Sequence, residues 1–221
     1  MALETRRLEG LERVADEQAA LRRIATLVAA GASEADLAAA VSSEVGGLFA
    51  AQSASVVRWD GDTIRVIGSW AVDSVDVRPA GAVLSYGGDT LAARVVQTAA
   101  PARIDSVDDL KTEFARQRWA ELGWQASIGA PIMVDRKVWG IVAASRKEVG
   151  EPFPQGDEER LRDFSALVAQ AIVNAEASSA GTTAASATAR CDNTNRAPKN
   201  HACSSARLVR SRPERPVGKP R

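Results

Sequence analysis

Two apolar runs flank a polar turn in the stretch Ser127-Ile-Gly-Ala-Pro-Ile-Met-Val-Asp-Arg-Lys-Val-Trp-Gly-Ile-Val-Ala-Ala-Ser145. Apolar runs of this length on either side of a short polar segment, here Asp135-Arg136-Lys137, predict a β-hairpin. Pro131 cannot donate to a strand ladder, so its strand should form an edge or a bulge at that point. Gly129 and Gly140 would allow a helix or a ligand to approach the hairpin closely.

A second hairpin is predicted upstream. Ser53-Ala-Ser-Val-Val-Arg-Trp59 and Thr63-Ile-Arg-Val-Ile-Gly-Ser-Trp70 flank Asp60-Gly61-Asp62, which is a strong turn signal. Between the two hairpins the pattern predicts a loop over 71–88, a helix over 89–98 capped by Asp89, a strand over 101–105 and a helix over 110–122.

Three helices with apolar stripes flank these strands. The first covers residues 2–30 and ends at Gly31, the second begins after the N-cap Ser33 and runs to about Phe49, and the third runs from Asp157 to about Ala177. Helices on either side of two antiparallel hairpins predict an α+β fold.

The hairpin over 127–145 resembles the signature hairpin of GAF domains. Residues 161–177 are similar to the outgoing helix of that family, and residues 21–31 to its incoming helix. The resemblance covers residues 20–177 and is closest to GAF domains of actinobacterial-type sensor histidine kinases. It implies a GAF-like antiparallel sheet sandwiched between the N- and C-terminal helices and short pocket-side helices.

Three regions are expected on this basis. Residues 1–20 form an N-terminal signalling or coiled-coil helix, residues 21–177 form the GAF-like sensory domain, and residues 178–221 form a disordered basic tail. The tail has low complexity and little apolar surface to offset the entropy of ordering. It carries nine Lys or Arg and two acids, against 19 basic and 26 acidic side chains in residues 1–177.

The basic tail has several interpretations. A positive segment can bind nucleic acid or an anionic membrane through phosphates. It has no Phe, Tyr or Trp for stacking on bases, which argues against nucleic acid. The abrupt loss of helical periodicity where the family continues into a helix suggests instead a frameshift in a longer kinase gene.

The terminal helices are the expected dimer interface, because in the resembled family they pair with a second subunit. The apolar stripe of the first helix also fits packing against its own domain, and periodicity alone favours that interpretation. The part before Leu21 extends beyond what a small domain needs and is the better dimer candidate. The dimer-interface candidates are Leu11, Val14, Leu21, Leu167 and Ala171.

Cofactors are expected to be absent. Residues 1–177 contain neither Cys nor His, whereas haem-binding relatives commonly use His, bilin-binding relatives attach through Cys, and sulfoxide-reducing relatives need reactive Cys. Haem, bilin and a metal site in residues 1–177 are therefore argued against. Cys191, His201 and Cys203 lack a fourth ligand at standard spacing, so no metal site is expected there either.

A ligand pocket is expected between one sheet face and the helices over 89–98 and 110–122. The candidates for its lining are Ser55, Val57, Trp59, Trp70, Trp119, Trp124, Ser127 and Trp139. Indoles suit an apolar or aromatic small molecule, but the same tryptophans could fill the space themselves. Arg94 and Arg103 are the nearest candidates for a nucleotide phosphate, and surface solvation explains them more simply.

The function expected from these features is non-catalytic: a small-molecule-sensing and dimerising regulatory domain of a two-component type protein, resembling a sensor histidine kinase without its output domains. A sensor kinase is a further candidate partner. The alternative is a pure dimerisation module without a ligand. An enzyme is disfavoured because residues 1–177 show no nucleophile–base pair.

No apolar run reaches the roughly 18 to 20 residues of a membrane span, and the start is too charged for a signal peptide, so a cytoplasmic location is expected.

Overall fold

Both predicted hairpins are present in the computed structural model, which describes residues 2–72, 75, 77–147 and 152–171, with side chains from residue 10 onward. The helices are α1 (Ala2–Ala29), α2 (Glu34–Leu48), α3 (Leu91–Thr98), α4 (Glu113–Leu122) and α5 (157–171), with a 3₁₀ turn at Val107–Asp109. The strands are β1 (Ser53–Trp59), β2 (Thr63–Ala71), β3 (Val83–Ser85), β4 (Ala102–Ile104), β5 (Ala126–Val134) and β6 (Lys137–Arg146).

The strands form one antiparallel sheet in the order β3-β2-β1-β6-β5-β4. The two hairpins meet at its centre, where β1 pairs with β6 over residues 53–58. The predicted α+β class and antiparallel sheet are confirmed. Strand β3 lies within the segment that the sequence predicts as loop, because three residues bounded by glycines give no usable periodicity.

One face of the sheet packs against α1, α2 and α5. Its core includes Ile24 of α1, Leu37 and Val41 of α2, and Leu161 and Phe164 of α5, all buried. Ser33 caps α2, since the Asp36 N–H donates to its Oγ at 3.2 Å. This layer closes one side of the sheet and leaves the other to α3 and α4.

The signature hairpin turns through a tight two-residue bend. Asp135 and Arg136 have φ of +49° and +64°, as a type I′ turn requires. Pro131 is tolerated in β5 because β4 pairs only with residues 127–129, which leaves β5 with a neighbour on one side there. The Pro131 carbonyl accepts a hydrogen bond from Ser165 Oγ of α5 at 2.6 Å.

The two glycines of this hairpin meet different kinds of neighbour, and only Gly129 meets the helix that the sequence predicts. A Cβ on Gly129 would lie 3.0 Å from the Leu91 side chain of α3, so a helix does approach there. A Cβ on Gly140 would clash with the Val57 carbonyl oxygen, so the close neighbour is strand β1 and not a helix or ligand.

Several predictions fall outside the described residues. They are the disordered tail over 178–221, the end of the outgoing helix over 172–177, and the exclusion of a metal site at Cys191, His201 and Cys203.

Candidate ligand-binding site

A cavity of about 130 Å³ lies between the sheet and the short helices. Its floor is the sheet face that points away from α1 and α2, with Val57, Ile64 and Ile141 among the floor residues. Leu91 of α3 and Trp119 of α4 stand over that floor. A volume of this order is comparable with the ~150 Å³ that admits a benzene ring in an engineered apolar cavity.

Two indoles form one wall of the cavity. The rings of Trp119 and Trp124 pack edge to face, with centroids 5.9 Å apart and planes at 82°, an arrangement favoured by the aromatic quadrupole. Trp119 is held by α4, which begins at its N-cap Thr112 and ends at Gly123 in the left-handed region. The wall is therefore a rigid aromatic surface beside open space.

The structure divides the predicted pocket residues. Ser55, Val57, Trp119 and Trp124 line the cavity, whereas the other four do not. These four are Trp59, Trp70, Ser127 and Trp139.

Trp70 and Trp139 lie on the opposite face of the sheet, against the α1–α2 core. Trp70 follows a β-bulge in β2, where the β1–β2 register shifts between Val56 and Val57. Trp139 occupies a β-bulge in β6, where the β5–β6 register shifts between Ile132 and Met133. An extra residue in a strand reverses the inside–outside alternation beyond it. Strict alternation along β2 and β6 would put both indoles on the same face as Ile64 and Ile141, so the bulges are the reason that Trp70 and Trp139 lie away from the cavity.

Trp59 and Ser127 lie near the cavity but do not line it. The Trp59 indole N–H donates to the Gly61 carbonyl at 2.6 Å and to the Tyr86 hydroxyl at 3.0 Å, so it closes the end of the hairpin. Ser127 is fully buried, and its Oγ lies 2.7 Å from Ser145 Oγ, which does line the cavity. Ser127 thus supports a lining residue from the neighbouring strand.

Asp89 joins the two helices of the cavity roof, a role that its sequence position does not reveal. The residue that caps α3 is Thr90 and not Asp89. The Asp89 carboxylate instead accepts hydrogen bonds from the Lys111 N–H and from both the N–H and hydroxyl of Thr112, just before α4. Partial burial opposes its ionisation, but these bonds and one from Arg94 hold the pKa of the Asp89 carboxyl well below its usual value.

Arg94 and Arg103 are structural and are not surface-solvated cations. The Arg94 guanidinium donates to the carbonyls of Asp89, Arg103 and Asp109. Neither residue lines the cavity, and the Arg103 side chain is only 16% exposed. Both are therefore removed from the candidates for a nucleotide phosphate.

Arg103 links β4 to the start of α5. Its guanidinium pairs with Asp105 at 2.7 Å and with Glu158 of α5 at 2.9 Å, and it donates to the Phe153 carbonyl at 2.7 Å. Hydrogen bonding to Asp105 raises the pKa of the Arg103 guanidinium despite partial burial. The next residue, Ile104, lines the cavity. The contacts between Arg103 and α5 are therefore adjacent in the chain to a residue of the cavity wall.

The dimer candidates occupy two kinds of position. Leu11 and Val14 on α1 are 60% and 56% exposed, and Leu167 on α5 is 60% exposed. Leu21 and Ala171 are half-buried against the helix-side core of the same chain. Core packing therefore accounts for Leu21 and Ala171, but it does not account for the exposed Leu11, Val14 and Leu167.

The family model described as the GAF domain matches residues 33–172. The match includes the whole sheet, the cavity and both roof helices. This chain belongs to the GAF family. GAF domains are generally regulatory, ligand-sensing domains of signalling proteins, and they often bind small ligands and dimerise. No curated protein matches the chain.

Solved structures show the same fold at low sequence identity. The phycoerythrobilin-bound GAF domain from a cyanobacterial phytochrome has a TM-score of 0.60 and 17% identity, over 72% of this chain and 96% of that one. The GAF domain from Acinetobacter phosphoenolpyruvate-protein phosphotransferase has a TM-score of 0.55 and 19% identity, over 73% and 95%. Free methionine-R-sulfoxide reductase from Neisseria meningitidis, in complex with its substrate, has a TM-score of 0.57 and 12% identity, over 72% and 90%.

The sequence-based exclusion of cofactors, bilins in particular, is wrong. The structures similar to this chain include GAF domains that hold phycoerythrobilin and phycocyanobilin. The exclusion rested on missing attachment side chains, whereas the similarity lies in the fold that this chain shares with those GAF domains. The chromophores themselves are properties of those proteins.

No helix within the described ranges combines the length and the apolar character that crossing a bilayer needs.

Proposed function

We propose that the chain is the sensory domain of a signal-transduction protein, which binds a small apolar or aromatic molecule in the cavity between the sheet and helices α3 and α4. The observation that carries this proposal is the cavity itself. Its walls combine large apolar side chains with two packed indoles and a few hydroxyls, the composition typical of small-molecule sites. Two of the tryptophans expected to fill it point to the other face of the sheet, which favours a ligand over a filled pocket.

The terminal helices are the proposed output. Arg103 connects the β4 wall of the cavity to Glu158 on α5, and Arg160 connects α5 to Glu17 on α1 at 2.7 Å. A ligand that prefers one arrangement of the wall can bias the arrangement of α1 and α5 through these contacts. In this proposal residues 1–20 are the signalling helix and residues 21–177 the sensory domain.

The finer assignment is a non-catalytic domain of a two-component type protein, similar to the sensor part of an actinobacterial-type histidine kinase. The signature hairpin and the outgoing helix support this assignment. Because residues 1–177 contain no histidine, the cavity's serines have no imidazole to activate them as nucleophiles. The proposed partners are a second copy of the chain and a sensor kinase.

The alternative is a dimerisation module that binds no ligand. The exposed Leu11, Val14 and Leu167 on the terminal helices favour it, because exposed apolar side chains grouped on two helices are typical of an interface.

Thermal unfolding and tryptophan fluorescence across a panel of small metabolites separate the two functions. A ligand at 100 times its Kd should add about 2.7 kcal/mol to the free energy of unfolding. The matched variant is Ala143→Leu, which places a larger side chain on the cavity floor and should remove that gain. A concentration-dependent dimer whose unfolding and fluorescence respond to no compound would support the dimerisation module instead.

A further inference from the structure

Five serines on four adjacent strands form one polar area of the pocket-side sheet, here called the serine patch. Ser53 on β1 pairs with Ser145 on β6, and Ser145 pairs with Ser127 on β5. Ser55, two residues along β1 and so on the same face, pairs with Ser69 on β2. All of them except Ser127 line the cavity.

The hydroxyls of the patch differ in their hydrogen bonding. Ser127 and Ser145 bond to each other at 2.7 Å. Among the residues that the structure describes, Ser53, Ser55 and Ser69 have no side-chain hydrogen-bond partner. Ser53 is only 5% exposed and lines the cavity, so the cavity is where its hydroxyl can find a partner. These three side chains therefore present unused donors and acceptors to the cavity.

The strand positions next to the patch on its face of the sheet carry no charged side chain. The positions that flank it in the strand ladder are Ala71, Ala143 and Gly129, whose small side chains also leave space above the sheet. In the described part of the chain, two cations line the cavity: Arg118, which already pairs with Glu121 at 3.0 Å, and Arg78, an exposed residue of the loop before β3. No charged side chain flanks the serines in the strand ladder, so an ionised group seated on the patch would lose its hydration without a counter-ion beside it.

We infer that the serine patch is a subsite for an uncharged hydrogen-bonding group, so that the ligand class is a neutral aromatic molecule bearing a carbonyl, amide or hydroxyl substituent. The ring packs against the Trp119–Trp124 wall, and the polar substituent lies on Ser53 and Ser55. This inference rests on the proposed function, because it specifies the chemistry recognised in the same cavity.

Three probes of similar size and different polarity test the inference: benzamide, benzoate and toluene. Binding to the full chain is measured by titration, following the indole N–H resonances of Trp119 and Trp124. Ser53→Ala and Ser55→Ala should each weaken benzamide binding about fivefold, the effect of one neutral hydrogen bond, and leave toluene binding unchanged. Benzoate should bind at least tenfold more weakly than benzamide.

Ser42→Ala is the matched control, since Ser42 is a buried serine on the other side of the sheet whose hydroxyl donates to the Ala38 carbonyl. It should leave the affinity for every probe unchanged. Should Ser53→Ala fail to fold, half-buried Ser55 still provides the comparison.

The outcomes separate the inference from the proposed function. If benzoate binds more tightly than benzamide, or if benzamide binding is indifferent to both serine substitutions, the inference is overturned while the cavity keeps its sensory role. If none of the probes binds, the proposed function falls and the inference with it.

Discussion

Asp89 shows how a single carboxylate can organise a cavity without lining it. It accepts hydrogen bonds from the residues that precede α4 and from Arg94 within α3. Both helices form the roof of the cavity, so this carboxylate sets their separation. Because the charged form accepts these bonds, the pKa of Asp89 is lowered, even though partial burial works in the other direction.

Asp89→Asn should reduce the free energy of unfolding at pH 7 by about 1–3 kcal/mol, the range for hydrogen bonds to charged groups. A carboxyl with a lowered folded-state pKa stabilises the fold above its unfolded pKa of about 3.9, and that stabilisation is lost as pH falls. The difference between wild type and variant should therefore shrink progressively below about pH 5. Urea unfolding at a series of pH values measures it.

Thr98→Val is a matched control for this experiment, since it removes another hydroxyl from the region without affecting the carboxylate. The Thr98 hydroxyl is exposed and donates to the Arg94 carbonyl within α3. The effect of Thr98→Val on the free energy of unfolding should not vary with pH between 3 and 7. A difference for Asp89→Asn that stays constant over the same range would show that ionised Asp89 is not the stabilising species.

Helix α2 approaches the sheet through one of its two adjacent glycines. A Cβ on Gly46 would clash with the ring of Trp70, whereas a Cβ on Gly47 would meet nothing within 4 Å. Gly46 is therefore the position that allows the helix to lie against the indole. The bulge in β2 places Trp70 on the face that meets α2, and Gly46 leaves the space that the indole occupies.

Gly46→Ala and Gly47→Ala should have opposite effects on stability. At Gly47 the change should raise the free energy of unfolding by about 0.5–1 kcal/mol, because alanine is the better helix former. At Gly46 the same change forces the ring or the helix to move, and should lower it by about 1–3 kcal/mol. Chemical denaturation measures both variants.

The two glycines serve as controls for each other, since they share a helix and the substitution is identical. If both variants gained stability, α2 would not pack on Trp70 as described.

The whole molecule presents exposed apolar side chains on both terminal helices. Leu11 and Val14 lie on α1, beyond the part that packs on the sheet through Ala20 and Ile24. Leu167 lies on α5, which Arg160 ties to α1. The proposed homodimer would bury these side chains, because association through apolar surface is driven by its removal from water.

The double variant Leu11→Glu with Val14→Glu should remove self-association, since it places two charges in the proposed seam. Sedimentation over a range of concentrations should show a dimer for the wild type and a monomer for the variant. Val83→Glu provides the matched control, because Val83 is 51% exposed and lies on β3, away from the terminal helices. A Leu11/Val14 variant that still dimerises would move the seam to residues 161–171.

The sequence by itself determined the helices, the two hairpins and the α+β class, because each depends on local chemistry. The Asp60-Gly61-Asp62 turn, the Ser33 cap and the stop at Gly31 are set by neighbours in the chain. Trp119 and Trp124, which the sequence places among the pocket candidates, line the cavity in the structure.

Only the tertiary structure decided which side chains meet in the site. The bulges that move Trp70 and Trp139 to the helix side are set by strand register, and register is a property of two strands together. The roles of Asp89 and Arg103 depend on partners 23 and 55 residues away, which no local pattern contains. The serine patch also depends on tertiary structure, because its five serines are separated along the chain and come together only when four strands align.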